Sequence, residues 1–243
     1  MQPPPESLAD SHAAPPMISD DMLAGPNEPA ERIDFEQRMS PFPLLTSALI
    51  AANAAVFAWE IWAGALADRD ALIAAGALVR DRVLQGEVWR LVTAMFLHAD
   101  LGHLAGNCVV LYIVGMACEH AYGRLRTALV YFASGLCGSL LSMACHPGPS
   151  VGASGAIFGV TGCVVVFFHR YQRAVMLRDK RIGMVLLIWA AYTIATGVFD
   201  PFLDNFAHLG GLAGGALVGF LLRPKLLPEP SRSAADSPHS VLW

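Results

Sequence analysis

The chain of 243 residues has little charge, since only 15% of its residues are Asp, Glu, Lys or Arg. Soluble domains carry about 25%. The deficit is concentrated, because residues 127–169 contain no charged residue at all. A membrane-spanning helix needs about 20 apolar residues, so this stretch is long enough for two spans. The composition excludes a soluble enzyme and a disordered protein, and it predicts an all-α, polytopic membrane protein.

Several chemical signatures are also absent. The five cysteines form no CxxC pair and lie in apolar runs, so we interpret them as small buried side chains and not as a disulfide framework. No HExxH or phosphate-binding glycine motif occurs, and no pair of intramembrane aspartates suits an aspartyl mechanism. A basic patch with interleaved aromatics is missing, which argues against nucleic acid as a partner. We expect no metal and no cofactor.

Charge and proline divide the chain into three parts. Residues 1–43 carry eight acidic and two basic residues among several prolines, which predicts a disordered, acidic tail. Residues 223–243 are rich in Pro and Ser and predict a second disordered tail. Residues 44–222 between them predict a six-helix membrane domain.

The six expected spans are apolar segments separated by turns or charged residues. They are Leu44–Leu66, Leu101–Tyr122, Leu125–Cys145, Ala153–Arg170, Ile182–Phe199 and Phe206–Leu222. The connection 67–100 is half apolar, and we expect it to lie in the membrane interface, packed on protein. The positive-inside rule favours both termini in the cytoplasm, because 12 of the 16 Lys and Arg then lie on that side. The turns at 147–152 and 200–205 then face outward.

Ser154 follows Gly152 and precedes Gly155 at the start of the fourth span. A serine nucleophile needs a base and an open approach for the substrate carbonyl. The glycines provide that approach, and a helix N-terminus offers free N–H groups to an oxyanion. Taken alone, however, the pattern is more often a small-residue packing face.

His208 lies near the start of the sixth span, beside the other outward turn. A neutral imidazole there can act as a general base or simply bind a neighbouring carbonyl. The pairs Gly210-Gly211 and Gly214-Gly215 let another helix approach closely. Because Ser154 and His208 lie at similar depth below the outer surface, a close contact between these two helices would bring them together.

His103 and Asn107 are four residues apart and therefore share one face of the second span. Two donors directed at one point suit an oxyanion hole. Hydrogen bonds between helices are the other interpretation, and for this pair alone the more common one.

The remaining polar residues are predicted to have structural roles. We expect His98 and Glu119 to support the fold and Glu60 to reach the interface or pair with an arginine of the following loop. Asp200 and Asp204 are interpreted as loop residues and not as the third member of a catalytic triad.

Together these motifs resemble the rhomboid family of intramembrane serine proteases over about residues 44–222. The matching residues, in order, are Trp89-Arg90, His98, His103, Asn107, Glu119, Gly152 to Gly155, Ala207-His208, Gly211 and Gly215. Each motif is weak by itself, but their order and their placement on the expected helices are specific. The six spans resemble the basic bacterial form of the family.

The resemblance implies roles for individual residues. Ser154 would be the nucleophile and His208 its base, a dyad without a third acid. His103, Asn107 and the Ser154 N–H would stabilise the oxyanion.

The resemblance also implies structural roles. Trp89-Arg90 would anchor the 67–100 loop, and Gly211 and Gly215 would let the sixth span pack on the fourth. Phe158 stands where many members carry a tyrosine packed on the histidine.

The implied activity is cleavage of single-span membrane proteins near the outer face of the lipid bilayer, in a bacterial inner membrane. The fifth span or the 200–205 loop would gate substrate entry. Two alternatives remain open. One is a catalytically silent relative that binds and escorts membrane proteins, and the other is a transporter with a polar path along His103, Asn107 and His208.

Overall fold

The structure is a computed structural model that describes residues 32–178, 186, 188–195 and 204–227. In chain order the helices are α1 (Leu44–Ala63), α2 (Arg69–Ala75), α3 (Arg80–Leu84), α4 (Arg90–Thr93), α5 (Leu101–Tyr122), α6 (Arg124–Cys145), α7 (Ser154–Tyr171) and α8 (Asn205–Leu221). Residues 188–195 are also helical. Two short strands, β1 (Ile33–Asp34) and β2 (Val175–Met176), pair in parallel.

Four helices (α1, α5, α6 and α7) are long and apolar enough to cross a membrane, and α8 is a shorter apolar helix. They match the first four expected spans and the sixth within a few residues. Only residues 186 and 188–195 of the expected fifth span Ile182–Phe199 are described, and its remainder lies outside the described residues. The chain thus forms a helical membrane bundle, while the count of six spans stays a prediction.

The segment before α1 differs from the expected disordered tail. Ile33 and Asp34 form β1, and Phe35 is only 2% exposed because its ring packs on Phe167 and Phe168 near the end of α7. The boundary predicted at residue 43 is therefore wrong for residues 32–43. The prediction failed because the acidic residues of this segment hid the signal of its few apolar side chains. Residues 1–31 lie outside the described residues.

The segment after α8 also begins inside the fold. The N–H groups of Lys225 and Leu226 both donate to the carbonyl oxygen of Ala121, at 2.8 and 3.1 Å. The predicted tail 223–243 is thus wrong for residues 223–227, and residues 228–243 lie outside the described residues.

Glycines allow α8 to lie directly against α7. A Cβ atom at Gly211 would overlap the carbonyl oxygen of Gly155, and one at Gly215 would overlap that of Gly159. Any larger residue would push the two backbones apart. This contact agrees with the expectation that the last helix packs on the serine-bearing helix through Gly211 and Gly215.

The connection between α1 and α5 is folded around Arg90, which is only 3% exposed. Its guanidinium group donates to the carbonyl oxygens of Ile73 and Ala77 at 2.6 and 2.9 Å and forms an ion pair with Glu87. It also lies 4.6 Å from the ring centre of Trp89. The hydrogen bond from Arg90 lowers the pKa of the Glu87 carboxyl group. Arg90 therefore holds three parts of this loop together.

The loop is also fixed to the turn that precedes α7. Leu78 and Ser150 exchange two backbone hydrogen bonds at 2.9 and 3.0 Å, and the N–H of Gly152 donates to Ala94 O at 2.8 Å. The loop thus helps to set the position at which α7 begins.

Glu60 lies in the last turn of α1 and is fully buried. Both of its carboxylate oxygens lie 3.2 Å from the backbone N–H of His98. No arginine of the 67–100 loop, all of which is described, forms an ion pair with it. The expected pairing with a loop arginine is therefore wrong, since the carboxylate points into the protein and joins α1 to the residues before α5.

Candidate active site

Three helices begin at the same end of the bundle, and each start is shaped by its local sequence. Asp100 caps α5 by accepting the N–H of His103 at 2.9 Å. Asp204 caps α8 by accepting the N–H groups of Phe206 and Ala207 at 3.1 and 3.0 Å. Such caps satisfy N–H groups that have no partner within the helix. The two caps fix where His103 and His208 enter their helices.

The start of α7 depends on Gly152. Its φ of +123° lies in a region that L-residues with a side chain rarely adopt. The turn brings Ser154 to the first helical position of α7, where the residue is half-buried and its hydroxyl group reaches His208 of α8.

Ser154 and His208 lie within hydrogen-bonding distance of each other. The distance between Ser154 Oγ and His208 Nε2 is 2.8 Å, and His208 is only 2% exposed. The close contact of α7 and α8 through their glycines makes this distance possible. A hydroxyl group and a buried imidazole in this geometry can exchange a proton.

The other nitrogen of the imidazole, Nδ1, has no hydrogen-bond partner among the described residues. Asp204 uses its Oδ1 atom as a helix cap, and its Oδ2 atom is likewise unpartnered within the described chain. This agrees with the interpretation of Asp204 as a structural loop residue. Asp200 lies outside the described residues.

Aromatic rings hold the imidazole from one side. The ring of Phe158 stacks on that of His208 with a centroid distance of 4.5 Å and an interplanar angle of 17°. Trp189 packs on Phe158 at 5.0 Å. Phe158 lies one turn after Ser154, so the same helix carries both the hydroxyl group and the ring that stacks on His208.

His103 and Asn107 both approach the turn before Ser154. A Cβ atom at Gly152 would lie 2.8 Å from His103 Nε2 and 3.6 Å from Asn107 Nδ2. Asn107 is 6% exposed, and its Nδ2 has no hydrogen-bond partner among the described residues. Gly152 therefore makes room for two side chains, and one of them offers a free donor beside the turn that leads to Ser154.

His98 and Glu119 do not join this cluster as reacting groups. The His98 Nδ1 atom lies 3.1 Å from Phe96 O, and its ring contacts that of His103 edge to face at 5.1 Å. Glu119 lies at the opposite end of the bundle, where it binds the start of α1. Both positions agree with the structural roles expected from the sequence.

Sequence reasoning missed two contributors to the geometry. Asp100 could have been found, because an Asp that directly precedes an apolar helix is a common cap. Trp189 could not, since its contact with Phe158 depends on the packing of segments far apart in the chain.

Comparisons with known proteins point to one family. A model described as the Rhomboid domain matches residues 85–225. The chain is 39% identical over 152 residues to the Rhomboid protease GluP of Bacillus subtilis (strain 168), which covers 63% of this chain and 29% of GluP. It is 31% identical over 210 residues to the Rhomboid protease AarA of Providencia stuartii, which covers 75% of this chain and 74% of AarA.

A plant protein is also similar. RHOMBOID-like protein 1 of Arabidopsis thaliana is 37% identical over 173 residues, which cover 65% of this chain and 44% of the plant protein. The chain thus spans less than half the length of GluP and of this plant relative. The match over more than half of the chain nevertheless establishes that this integral membrane protein belongs to the rhomboid family.

Proposed function

We propose that the protein is an intramembrane serine endopeptidase that hydrolyses peptide bonds of single-span membrane proteins near the outer face of the membrane. The observation that carries the proposal is the 2.8 Å contact between Ser154 Oγ and His208 Nε2, on two helices that glycines hold together. The names of GluP and AarA as rhomboid proteases support the same activity.

In the proposed mechanism, His208 Nε2 takes the proton of the Ser154 hydroxyl group as Oγ attacks the scissile carbonyl carbon. The tetrahedral intermediate places a negative charge on the former carbonyl oxygen. The Ser154 N–H, Asn107 Nδ2 and His103 would donate to this oxyanion, as donors beside a helix N-terminus do in other acyl transfers. His208 then gives its proton to the leaving amine, which leaves an acyl-enzyme on Ser154.

Water completes the reaction. His208 removes a proton from a water molecule that attacks the ester, and it returns the proton to Ser154 Oγ when the acid product leaves. No carboxylate takes part as a third member. Phe158 holds the ring of His208 in place by stacking, which serves the orienting role that an acid has in a triad.

The position of the site at the helix starts explains how a peptide bond can be cut within a membrane. Hydrolysis needs water, which the bilayer core excludes, and a site one turn below the surface can remain open to solvent. A substrate helix must unwind there, because its carbonyls are engaged in its own hydrogen bonds. Substrates with helix-destabilising residues near the outer end of their span are therefore favoured.

The proposed location is the inner membrane of a bacterium, with both termini in the cytoplasm. The arrangement of Lys and Arg favours this orientation. The fifth span and the 200–205 loop would then control the entry of the substrate.

The test uses the full chain in proteoliposomes with a single-span model substrate and a serine-reactive fluorophosphonate. Ser154→Ala and His208→Ala are compared with Ser47→Ala and His169→Ala, which change a serine and a histidine away from the site. We expect cleavage to fall by about 10³-fold or more in the first pair only, with fluorophosphonate labelling lost in Ser154→Ala.

Labelling that persists in Ser154→Ala would remove the nucleophile assignment. Unchanged cleavage in both site variants would remove the Ser154/His208 dyad, whereas no cleavage by the wild type would leave the silent escort or the transporter as the better explanation. Circular dichroism and the unfolding temperature show whether each variant keeps its fold.

A further inference from the structure

A cavity of about 1240 Å³ opens at the end of the bundle opposite Ser154. Its walls come from the residues before α1, the end of α5, the start of α6 and the segment after α8. The proposed protease mechanism uses none of these residues. We call this cavity the basic groove.

Four cations line the basic groove, namely Arg38, Arg124, Arg126 and Lys225, together with the single carboxylate of Glu119. All four cationic side chains belong to exposed residues. Among the described residues, Arg38, Arg126 and Lys225 have no ion-pair partner. The groove therefore carries an excess of positive charge.

The carboxylate of Glu119 offsets one of the four positive charges and leaves a net excess of three. It accepts hydrogen bonds from the N–H groups of Leu45 and Thr46 at 3.2 and 3.0 Å and from the Thr46 hydroxyl group at 3.0 Å. Only Arg124 approaches it, with 3.6 Å between Nε and Oε1, and the Arg124 side chain stays 66% exposed. Most of the arginine is thus available to another anion.

The position of Lys225 is fixed by the fold. Its N–H donates to Ala121 O at 2.8 Å, and its side chain crosses Gly123, where an added Cβ would lie 3.2 Å from Lys225 Cδ. Gly123 itself has a φ of +79°, which suits glycine. The positive charge of Lys225 is thereby held beside Arg124 and Arg126, which lie about 100 residues earlier in the chain.

Arg38, another residue of the groove wall, has an unusual backbone conformation. It is the one non-glycine residue in the described part of the chain with a positive φ, at 64°. This conformation costs about 1–2 kcal/mol for a residue with a side chain, and such outliers concentrate at ligand sites.

The rim of the groove is apolar and faces the region of the lipid. Phe42, Leu44 and Leu125 are 82%, 58% and 88% exposed, respectively. Leu44 and Leu125 lie in the first turns of spanning helices, and Phe42 lies two residues before α1, so the acyl chains of a surrounding bilayer would be within reach of these side chains. A ligand that suits both the cations and this rim has an anionic head and apolar tails.

We propose that the basic groove binds an anionic phospholipid, with its phosphate group between Arg124, Arg126 and Lys225 and its acyl chains along the apolar rim. Charge complementarity and contact with the bilayer both favour this occupant, because basic pockets between spanning helices bind anionic head groups. The bound lipid bridges α1, α5, α6 and the segment after α8. Its binding is independent of the proposed proteolysis at the other end of the bundle.

The test measures lipid binding to the purified full chain by native mass spectrometry in detergent, with phosphatidylglycerol and phosphatidylcholine as the probes. The variant Arg124→Gln/Arg126→Gln/Lys225→Gln is compared with Arg69→Gln/Arg80→Gln/Arg82→Gln. The control removes the same charge from exposed residues of the 67–100 loop. The single variants Arg126→Gln and Lys225→Gln keep the test valid if the triple groove variant does not fold.

We expect the wild type and the control to bind phosphatidylglycerol at least about tenfold more tightly than phosphatidylcholine, and the triple groove variant to lose that preference. Each single variant is expected to weaken phosphatidylglycerol binding by about fivefold. The unfolding temperature should rise with phosphatidylglycerol in the wild type and in the control.

Three results would overturn the proposal. The first is a wild type that binds phosphatidylglycerol no more tightly than phosphatidylcholine. This includes the case in which deletion of residues 2–31 is needed before phosphatidylglycerol is preferred, because the acidic residues of that segment would then be the occupant of the groove. The second is an equal loss of preference in the loop control. The third is an equal thermal shift with inorganic phosphate alone, which would indicate a site for a free anion.

Discussion

The two ends of the helical bundle treat their buried polar groups differently. At the end that contains the basic groove, the largely buried Glu119 carboxylate accepts three hydrogen bonds from the start of α1. At the opposite end, Asn107 Nδ2 and His208 Nδ1 have no partner within the described residues. His120 Nε2 is an exception at the end with the basic groove, because it also has no partner within the described residues.

Under the proposed function, we interpret this difference as one between a group that stabilises the fold, Glu119, and a donor left for the substrate, Asn107. A buried polar atom without a partner costs about 1–3 kcal/mol, so most native structures avoid it. Glu119 contributes its hydrogen bonds to the folded protein itself. Asn107 keeps an unused donor beside Ser154, and the closely packed helices around it must offset the cost.

The largest expected effect that tests this contrast comes from Asn107→Ala. Removal of an oxyanion donor lowers kcat by about 10²–10³-fold. Because Asn107 Nδ2 has no partner in the described residues, we expect the free energy of unfolding to stay the same or to rise. Cleavage kinetics in proteoliposomes and thermal unfolding measure the two quantities, with Cys108→Ala as the neighbouring control. A variant that loses stability and keeps kcat would assign Asn107 to the fold.

Glu119→Gln should have the opposite effect. The substitution keeps the shape of the side chain but weakens its hydrogen bonds to Leu45 and Thr46, since the acceptor loses its charge. We expect the free energy of unfolding to fall by about 1–3 kcal/mol, with kcat of the remaining folded protein within about twofold of the wild type. Urea or SDS titration gives the stability. A loss of kcat without a loss of stability would contradict the assignment of this end to structure.

The sequence predicted the elements that depend on local patterns. The bounds of α5 and α6 agree with the expected spans within one residue, because long uncharged apolar runs are a strong signal. The pairing of β1 with β2 was not predictable, since each strand has two residues and they lie about 140 positions apart. Burial of Phe35 follows from that pairing and was missed for the same reason.

The candidate site was predicted in part. Ser154 and His208 were expected to lie close together because glycines on both helices indicated a close helix contact. The 2.8 Å distance between them agrees with that expectation. Their catalytic roles stay a prediction. The direction of the Glu60 side chain was not predictable, since an acid near a helix end can turn either to solvent or inward. Its partner is the backbone N–H group of His98. Every residue except proline has such a group, so the sequence does not indicate this partner.

Two glycines of α5 sharpen the contrast between the ends. A Cβ atom at Gly115 would lie 2.7 Å from Thr46 Cγ2, beside the Glu119 cap, whereas one at Gly106, next to Asn107, would meet nothing within 4 Å. We expect Gly115→Ala to reduce the free energy of unfolding by about 1–2 kcal/mol through overpacking. Gly106→Ala should increase it by up to about 1 kcal/mol through helix propensity. Equal effects of the two substitutions would show that the packing at the two ends does not differ.

The smallest expected effect concerns the ring that holds His208. Phe158→Leu keeps an apolar side chain but removes the stacking on His208, which contributes about 0.5–1.5 kcal/mol. We expect kcat to fall by about 2–10-fold in Phe158→Leu, whereas Phe158→Tyr retains the aromatic face and should stay near the wild type.

Steady-state cleavage of the same model substrate compares these two variants, with Phe132→Leu as a control at a partly exposed phenylalanine outside the site. A similar loss in Phe158→Leu and Phe132→Leu would mean that the ring acts only through general packing. A loss confined to Phe158→Leu, with normal thermal unfolding, would mean that the aromatic face orients the imidazole. Orientation by stacking would then explain how this end of the bundle can leave His208 Nδ1 without an acid partner among the described residues.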